Sequence, residues 1–390
     1  MNYDFDTVIP RRGTDSLKWD VPERDLPMWV ADMDFAVAPE IAEALSRRIK
    51  EGVFGYSIIT EEWYDAYIGW WRDRHDFLIE KEWLVFCTGV IPAISSAVRK
   101  LTTPNEKVLI QTPVYNTFYN CIRNNGRRVL ECPLHYENQT YTMDFGALET
   151  ALSDPETTLM LLCNPQNPAG VIWDRETLEK VGDLCRKYGV TVLSDEIHCD
   201  LTEPGKSYVP FASVSETCRD ISITLITPTK AFNLAGLKTA AVFASDSVLR
   251  HKMWRALNTD EVAEPNSFAL PAAVAAFTEG APWLDALRSY VWENKRWVRD
   301  FLSEQTPELT VACSDATYLM WVDGRALPNN GKGLSSFLRN ETGLYVMRGE
   351  AYGPGGEGFF RMNVACPRSL LMDGMDRLSR GVSKYKAFYG

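Results

Sequence analysis

No Cys-x-x-Cys pair occurs among the nine cysteines of this 390-residue sequence, and no apolar run reaches the ~18 residues a membrane-spanning helix needs. The cysteines (87, 121, 132, 163, 185, 199, 218, 313 and 366) are scattered, several inside apolar runs. That pattern predicts buried free thiols in a reducing compartment. Met1–Gly13 lacks an apolar signal core, so the expected location is the cytoplasm. Asn138-Gln139-Thr140 and Asn340-Glu341-Thr342 match the glycosylation pattern, which has no meaning without secretion. An excess of positive charge is also missing: 41 Lys and Arg stand against 52 Asp and Glu, for a net charge of −11. This argues against a nucleic-acid surface and against a polybasic membrane anchor. There is no internal repeat and no low-complexity tract. What remains is ordinary globular composition, 45% hydrophobic and 24% charged, in a chain long enough for two domains.

Residues 1–35 carry several prolines and no helical period, and read as an extended arm. Ala38–Glu51 reads as a helix ended by Gly52. Glu61–Arg74 reads as another, with Trp63, Tyr67, Trp70 and Trp71 on one face expected to pack in a core. From about residue 84 strands alternate with helices. The strands are expected at Leu84–Cys87, Val108–Gln111, Val129–Pro133, Leu159–Cys163, Val190–Ser194, Ile221–Ile226 and Ala240–Ala244. The helices between them include Ile91–Lys100, Tyr115–Ile122 and Arg175–Tyr188. The alternation predicts an α/β domain built on a mostly parallel sheet. A long helical region, Ser267–Ser303, is expected to break or bend at Pro271 and Pro282. The expected division is a large domain over residues 45–285 and a small α+β domain made of 1–44, with the arm, and 286–390.

Open parallel sheets bind ligands beyond the carboxyl ends of their strands. Four polar groups fall at such ends: Thr88-Gly89-Val90-Ile91, the loop Asn164–Gly170, Asp195-Glu196-Ile197-His198, and Lys230 just past Ile226. Taken singly each has a bland reading, because Asn-Pro loops make turns and a strand-end aspartate caps helices. Together on one rim they suit pyridoxal 5′-phosphate (PLP). Lys230 would condense with its aldehyde. Asp195 would keep its pyridine nitrogen protonated. Asn167 would donate to its phenolic oxygen. The amides of Gly89, Val90 and Ile91, with Thr227, Thr229 and Lys238, would hold its phosphate. Tyr115, after a further strand, would stack on its ring. Gly353–Gly358 fits Gly-x-Gly-x-x-Gly, but no helix is expected after it, so it reads as a loop presenting the strand Phe359–Val364.

The blocks Asn164–Gly170, Ser194–His198, Thr227–Lys230 and Phe360–Asn363 occur in an order that resembles the fold-type I, PLP-dependent class I/II aminotransferase family. Asn167 lies 28 positions before Asp195, and Asp195 lies 35 before Lys230. The resemblance implies a fold-type I PLP-transferase: a seven-stranded sheet between helices plus a small α+β domain. Pro27–Phe35, Gly52–Ser57, Asp195–His198 and Gly280–Leu284 resemble the MalY/PatB-like cystathionine β-lyase (C–S lyase) branch. From the resemblance, Arg361 is expected to clamp the substrate α-carboxylate, with Asn167, Tyr115 and Ala31 also at the substrate. His198 stands where most aminotransferases have tyrosine, at the cofactor. Tyr56 matches a residue that reaches the neighbour's cofactor phosphate, which implies a homodimer with shared sites. Lys238 stands where the wider family often has arginine, and Cys87-Thr88-Gly89 replaces a common Thr-Pro-Gly. The implied activity is β-elimination of sulfur amino acids, with L-cystathionine giving homocysteine, pyruvate and ammonia. Amino transfer to a 2-oxo acid needs the same lysine and stays open. A scaffold without turnover is disfavoured, because Lys230, Asp195 and Arg361 are all present.

Overall fold

The computed structural model describes residues 3–390. Seven strands form the central sheet: β1 (Leu84–Cys87), β2 (Lys107–Ile110), β3 (Arg128–Glu131), β4 (Thr157–Cys163), β5 (Thr191–Asp195), β6 (Ser222–Ile226) and β7 (Ala240–Phe243). Their order is β1-β7-β6-β5-β4-β2-β3. Strands β3, β2, β4, β5 and β6 pair in parallel, while β7 runs antiparallel to both β6 and β1. All seven expected strands are present, with ends shifted by one or two residues.

Alternate side chains of these strands go to opposite layers, as the pleat requires. Leu159, Leu161 and Cys163 join a core with Ala93, Ile94 and Ala97 of α3 (Val90–Leu101). Met160 and Leu162 join another with Leu178, Val181 and Cys185 of α5 (Arg175–Tyr188). Burial on both faces explains why these strands read as unbroken apolar runs. Helix α5 has the limits its end signals predict. The Asp174 carboxylate accepts from the Thr177 amide at 2.7 Å, and Gly189 closes the helix at φ 69°.

A third core joins the arm to α1 (Pro39–Glu51), α2 (Glu61–His75) and α6 (Ala269–Glu279). Trp63, Tyr67, Trp70 and Trp71 are all buried in it. Two helix expectations need correction. Helix α4 spans Thr117–Arg123, so Tyr115 lies in the turn before it. The break in the long helical region falls at Gly280, between α6 and α7 (Ala281–Gln305), not at the prolines. Pro271 and Pro282 sit in the first turns of those helices, where the missing amide has no partner to lose. Cys313 also differs from expectation: it is exposed, whereas the other eight free cysteines are buried.

A second sheet holds β8 (Thr310–Val311), β9 (Leu319–Asp323), β10 (Met347–Arg348) and β11 (Phe359–Asn363) in the order β8-β9-β11-β10. The glycine-rich loop does present β11, which carries Arg361. The arm pairs its Leu26–Pro27 with Leu344–Tyr345. Among the described residues no helix is long and apolar enough to cross a membrane.

Candidate active site

The carboxyl ends of β1, β2, β4, β5 and β6 share one rim of the large sheet. Strand β7 enters that rim from its amino end, because Ala240 pairs with Cys87 and Ala241 with Ile226. Its antiparallel direction therefore brings Lys238 and Thr239 beside Thr227–Lys230. The Thr227 hydroxyl donates to the Thr239 carbonyl at 2.6 Å and accepts from the Thr229 amide at 3.0 Å. That hydroxyl is engaged in shaping the turn. Lys238 is exposed and adopts φ 56°.

The partly buried Lys230 amine donates to the Ala31 carbonyl at 2.8 Å. Burial and the neighbouring Arg361 charge pull its pKa from 10.5 down to about 8, against the opposing pull of Asp32 and Asp195. Asp195 is buried and accepts from the Ile197 amide at 3.3 Å. Burial pushes its carboxyl up to about 7, although the Ile197 amide and the Lys230 charge oppose the rise. His198 is 1% exposed, and neither ring nitrogen has a protein partner. Burial, with Lys230 and Arg361 nearby, drives its pKa down to about 3, so the ring is neutral.

Arg361, on β11, is buried. One Nη donates to Asn167 Oδ1 at 3.1 Å and the other to the Trp29 carbonyl at 2.9 Å, while Nε has no partner. Five N–H groups minus these two contacts leave an open edge for an anion. Tyr115 is partly buried, edge-on to Phe118 at 5.9 Å. Helix α3 starts after Gly89 with no side-chain cap, and Pro92 supplies no donor. The amides at its start therefore face the rim without a side-chain acceptor, an arrangement suited to phosphate. Tyr56 stands apart: it is 101% exposed and touches none of these groups within the chain.

The structure adds residues that sequence spacing did not reveal. Tyr318 donates to the same Ala31 carbonyl at 2.9 Å. Asn233 ties down the arm, donating to the carbonyls of Met33 and Phe35 at 3.1 Å each and accepting from the Met33 amide at 3.0 Å. Asn363 donates to the carbonyls of Val30 and Asp32 at 2.7 and 2.6 Å. Asn363 lies in the Phe360–Asn363 block; Tyr318 carries no comparable signal.

The family model for aminotransferase class I and II matches residues 27–378. The chain belongs to that family. Cystathionine beta-lyase PatB of Bacillus subtilis (strain 168) is 42% identical over 385 residues, covering 97% of this chain and 100% of PatB. Protein MalY of Escherichia coli (strain K12) is 37% identical and covers 97% of this chain and 99% of its own length. Cystalysin from Treponema denticola, whose structure contains pyridoxal 5′-phosphate, superposes with a TM-score of 0.94 at 34% identity, covering 98% of this chain and 100% of cystalysin.

The rim residues fit that cofactor. Asp195 is a buried carboxylate with no cation bonded to it, and His198 a buried imidazole with two idle nitrogens. Such groups are costly to leave unmatched. A protonated pyridine nitrogen would match the first, and a polar ring substituent the second.

Proposed function

We propose that this chain is a PLP-dependent carbon–sulfur lyase that removes a thiol from the β-carbon of sulfur amino acids. The single observation that carries the proposal is the setting of Lys230. Its amine, tuned to about 8, is held by the Ala31 carbonyl and feels the charges of Arg361, Asp32 and Asp195, which the second sheet, the arm and the rim bring to it. Likeness to PatB along nearly the whole chain supports elimination over amino transfer.

In this reading Asp195 would stay ionised and hold the pyridine nitrogen protonated, and Asn167 and His198 would serve the phenolic oxygen. Gly89, Val90, Ile91, Thr229 and Lys238 would hold the phosphate, Thr227 shapes that loop, and Tyr115 would stack on the ring. Bound there, PLP supplies the electron sink that acidifies the substrate Cα–H. The open edge of Arg361 takes the α-carboxylate, with Asn167, Tyr115 and the Ala31 backbone around it. Lys230, near neutrality in its basicity, takes the Cα proton as general base. The thiolate leaves from the β-carbon. Water then completes the balance: cystathionine and water give homocysteine, pyruvate and ammonia.

Two further features belong to this proposal. The exposed apolar segment with Val53, Phe54, Tyr56 and Ile58 is read as a homodimer seam that carries Tyr56 to the second copy's phosphate site. The chain is read as a large unit over 45–285 and a small one over 1–44 and 286–390, working in the cytoplasm. The test is direct. Purified PLP-loaded protein given L-cystathionine and S-methyl-L-cysteine should release pyruvate, ammonia and thiol in equal amounts. No pyruvate, together with a new amino acid formed from an added 2-oxo acid, would establish amino transfer instead.

A further inference from the structure

Tyr352 has 0% of its surface exposed, and its hydroxyl has no hydrogen-bond partner. An unmatched buried hydroxyl is costly, and this one is a donor free to take a polar partner. The ring has a fixed seat. Trp321 and Arg361 are cross-strand neighbours on β9 and β11, and Tyr352 packs against both. It lies edge-on to Trp321 at 5.2 Å and beneath the Arg361 guanidinium at 5.2 Å. Its backbone is tied to the substrate side as well: the Val114 amide, next to Tyr115, donates to the Tyr352 carbonyl at 2.9 Å. The following Gly353 has φ 89° and passes so close to Tyr119 that a Cβ would lie 1.9 Å from the Tyr119 hydroxyl. The chain at Tyr352 is therefore pressed onto the Thr112–Tyr115 turn. Charge on the Tyr352 oxygen would feel both Arg361 and Tyr115, and burial pushes the phenol up to about 12, so it remains a donor.

We propose that the Tyr352 hydroxyl donates to the carboxylate of the bound amino acid, beside the open edge of Arg361. Tyr352 is then a substrate-binding residue that adds a neutral donor to a charged clamp. The inference rests on the reading of Arg361 as that clamp.

The experiment compares the PLP-loaded wild type with Tyr352→Phe and Arg361→Gln. The probe is 3-(methylthio)propionate, a carboxylate without the amino group needed for turnover, with binding measured calorimetrically. Tyr352→Phe should weaken binding about tenfold, the usual scale for a hydrogen bond to a charged group. Without the probe, its thermal midpoint should be unchanged or raised, because an unmatched hydroxyl has been removed. With S-methyl-L-cysteine its KM should rise while kcat stays within about twofold, as loss of uniform binding requires. Unchanged affinity in Tyr352→Phe beside weak binding in Arg361→Gln would overturn the role of Tyr352 and leave the clamp standing. Unchanged affinity in Arg361→Gln would remove the clamp and this inference with it. A lowered thermal midpoint with unchanged KM would make the hydroxyl structural and also overturn the proposal.

Discussion

Replacing Asp195 by asparagine should stabilise the cofactor-free protein and cripple the loaded one, and both effects have one cause. The Asp195 carboxylate is buried with one amide donor, and burial raises its pKa from 3.8 to about 7. Between those pH values the folded chain holds a proton that the unfolded chain releases. Stability from this group is therefore complete below pH 3.8, falls as pH rises, and is lost above about 7. At about 1.36 kcal/mol per pH unit, the loss is on the order of 4 kcal/mol. An asparagine of the same shape never ionises, though its amide also needs partners, so a net gain of about 2–4 kcal/mol is expected above neutrality. The assay is thermal unfolding of PLP-free wild type and Asp195→Asn, at one protein concentration, from about pH 5 to about pH 8. The gap between them should widen with pH and level off above about 7. A gap independent of pH, or a less stable variant at alkaline pH, would refute the reasoning. In the loaded enzyme the sign reverses. The variant lacks the negative charge that holds the ring nitrogen protonated, and pyruvate formation should fall about 100-fold or more.

Lys230→Ala should lower pyruvate formation by about 1,000-fold or more, because both the aldehyde-binding amine and the base are removed. More than about one hundredth of wild-type activity would contradict that role. Asn233→Ala removes three hydrogen bonds that hold the arm, for an expected loss of about 2–3 kcal/mol. It should lower both the thermal midpoint and the rate, since the arm carries the Ala31 carbonyl that holds Lys230; an unchanged rate would separate the two. Lys230→Ala and Tyr56→Ala subunits, unfolded and refolded together in equal amounts, should recover about a quarter of wild-type activity, because half the dimers would contain one intact site. No recovery above either variant alone would argue that Tyr56 does not act across a shared seam.

Much of the fold was legible because its signals are local. Asp174 and Gly189 mark both ends of α5, and an unbroken apolar run such as Leu159–Cys163 marks a strand covered on both faces. The helix start at Thr117 and the break at Gly280 were less legible. Proline in a first turn has the same identity as proline in a helix interior, and only its place in the turn decides its effect. The strand-end positions of the Thr88–Ile91, Asn164–Gly170, Asp195–His198 and Lys230 blocks were readable. The contacts made through the arm were not. Ala31 and Lys230 are 199 positions apart, and Tyr318 reaches Ala31 across 287. No spacing rule links a backbone carbonyl in an extended arm to an amine at a strand end.

The sequence by itself determined the inventory and its order: an amide side chain, a carboxylate and an amine placed where parallel strands end, then a guanidinium in the later Phe360–Asn363 block. The tertiary structure decided which strands are neighbours, and so that β7 delivers Lys238 from its amino end. It also decided the chemical state of each group. Asp195 near 7, His198 near 3 and Lys230 near 8 all arise from loss of water and from charges brought close by folding. Residue type fixes only the starting values; burial and proximity, which exist only in the folded chain, set the working ones.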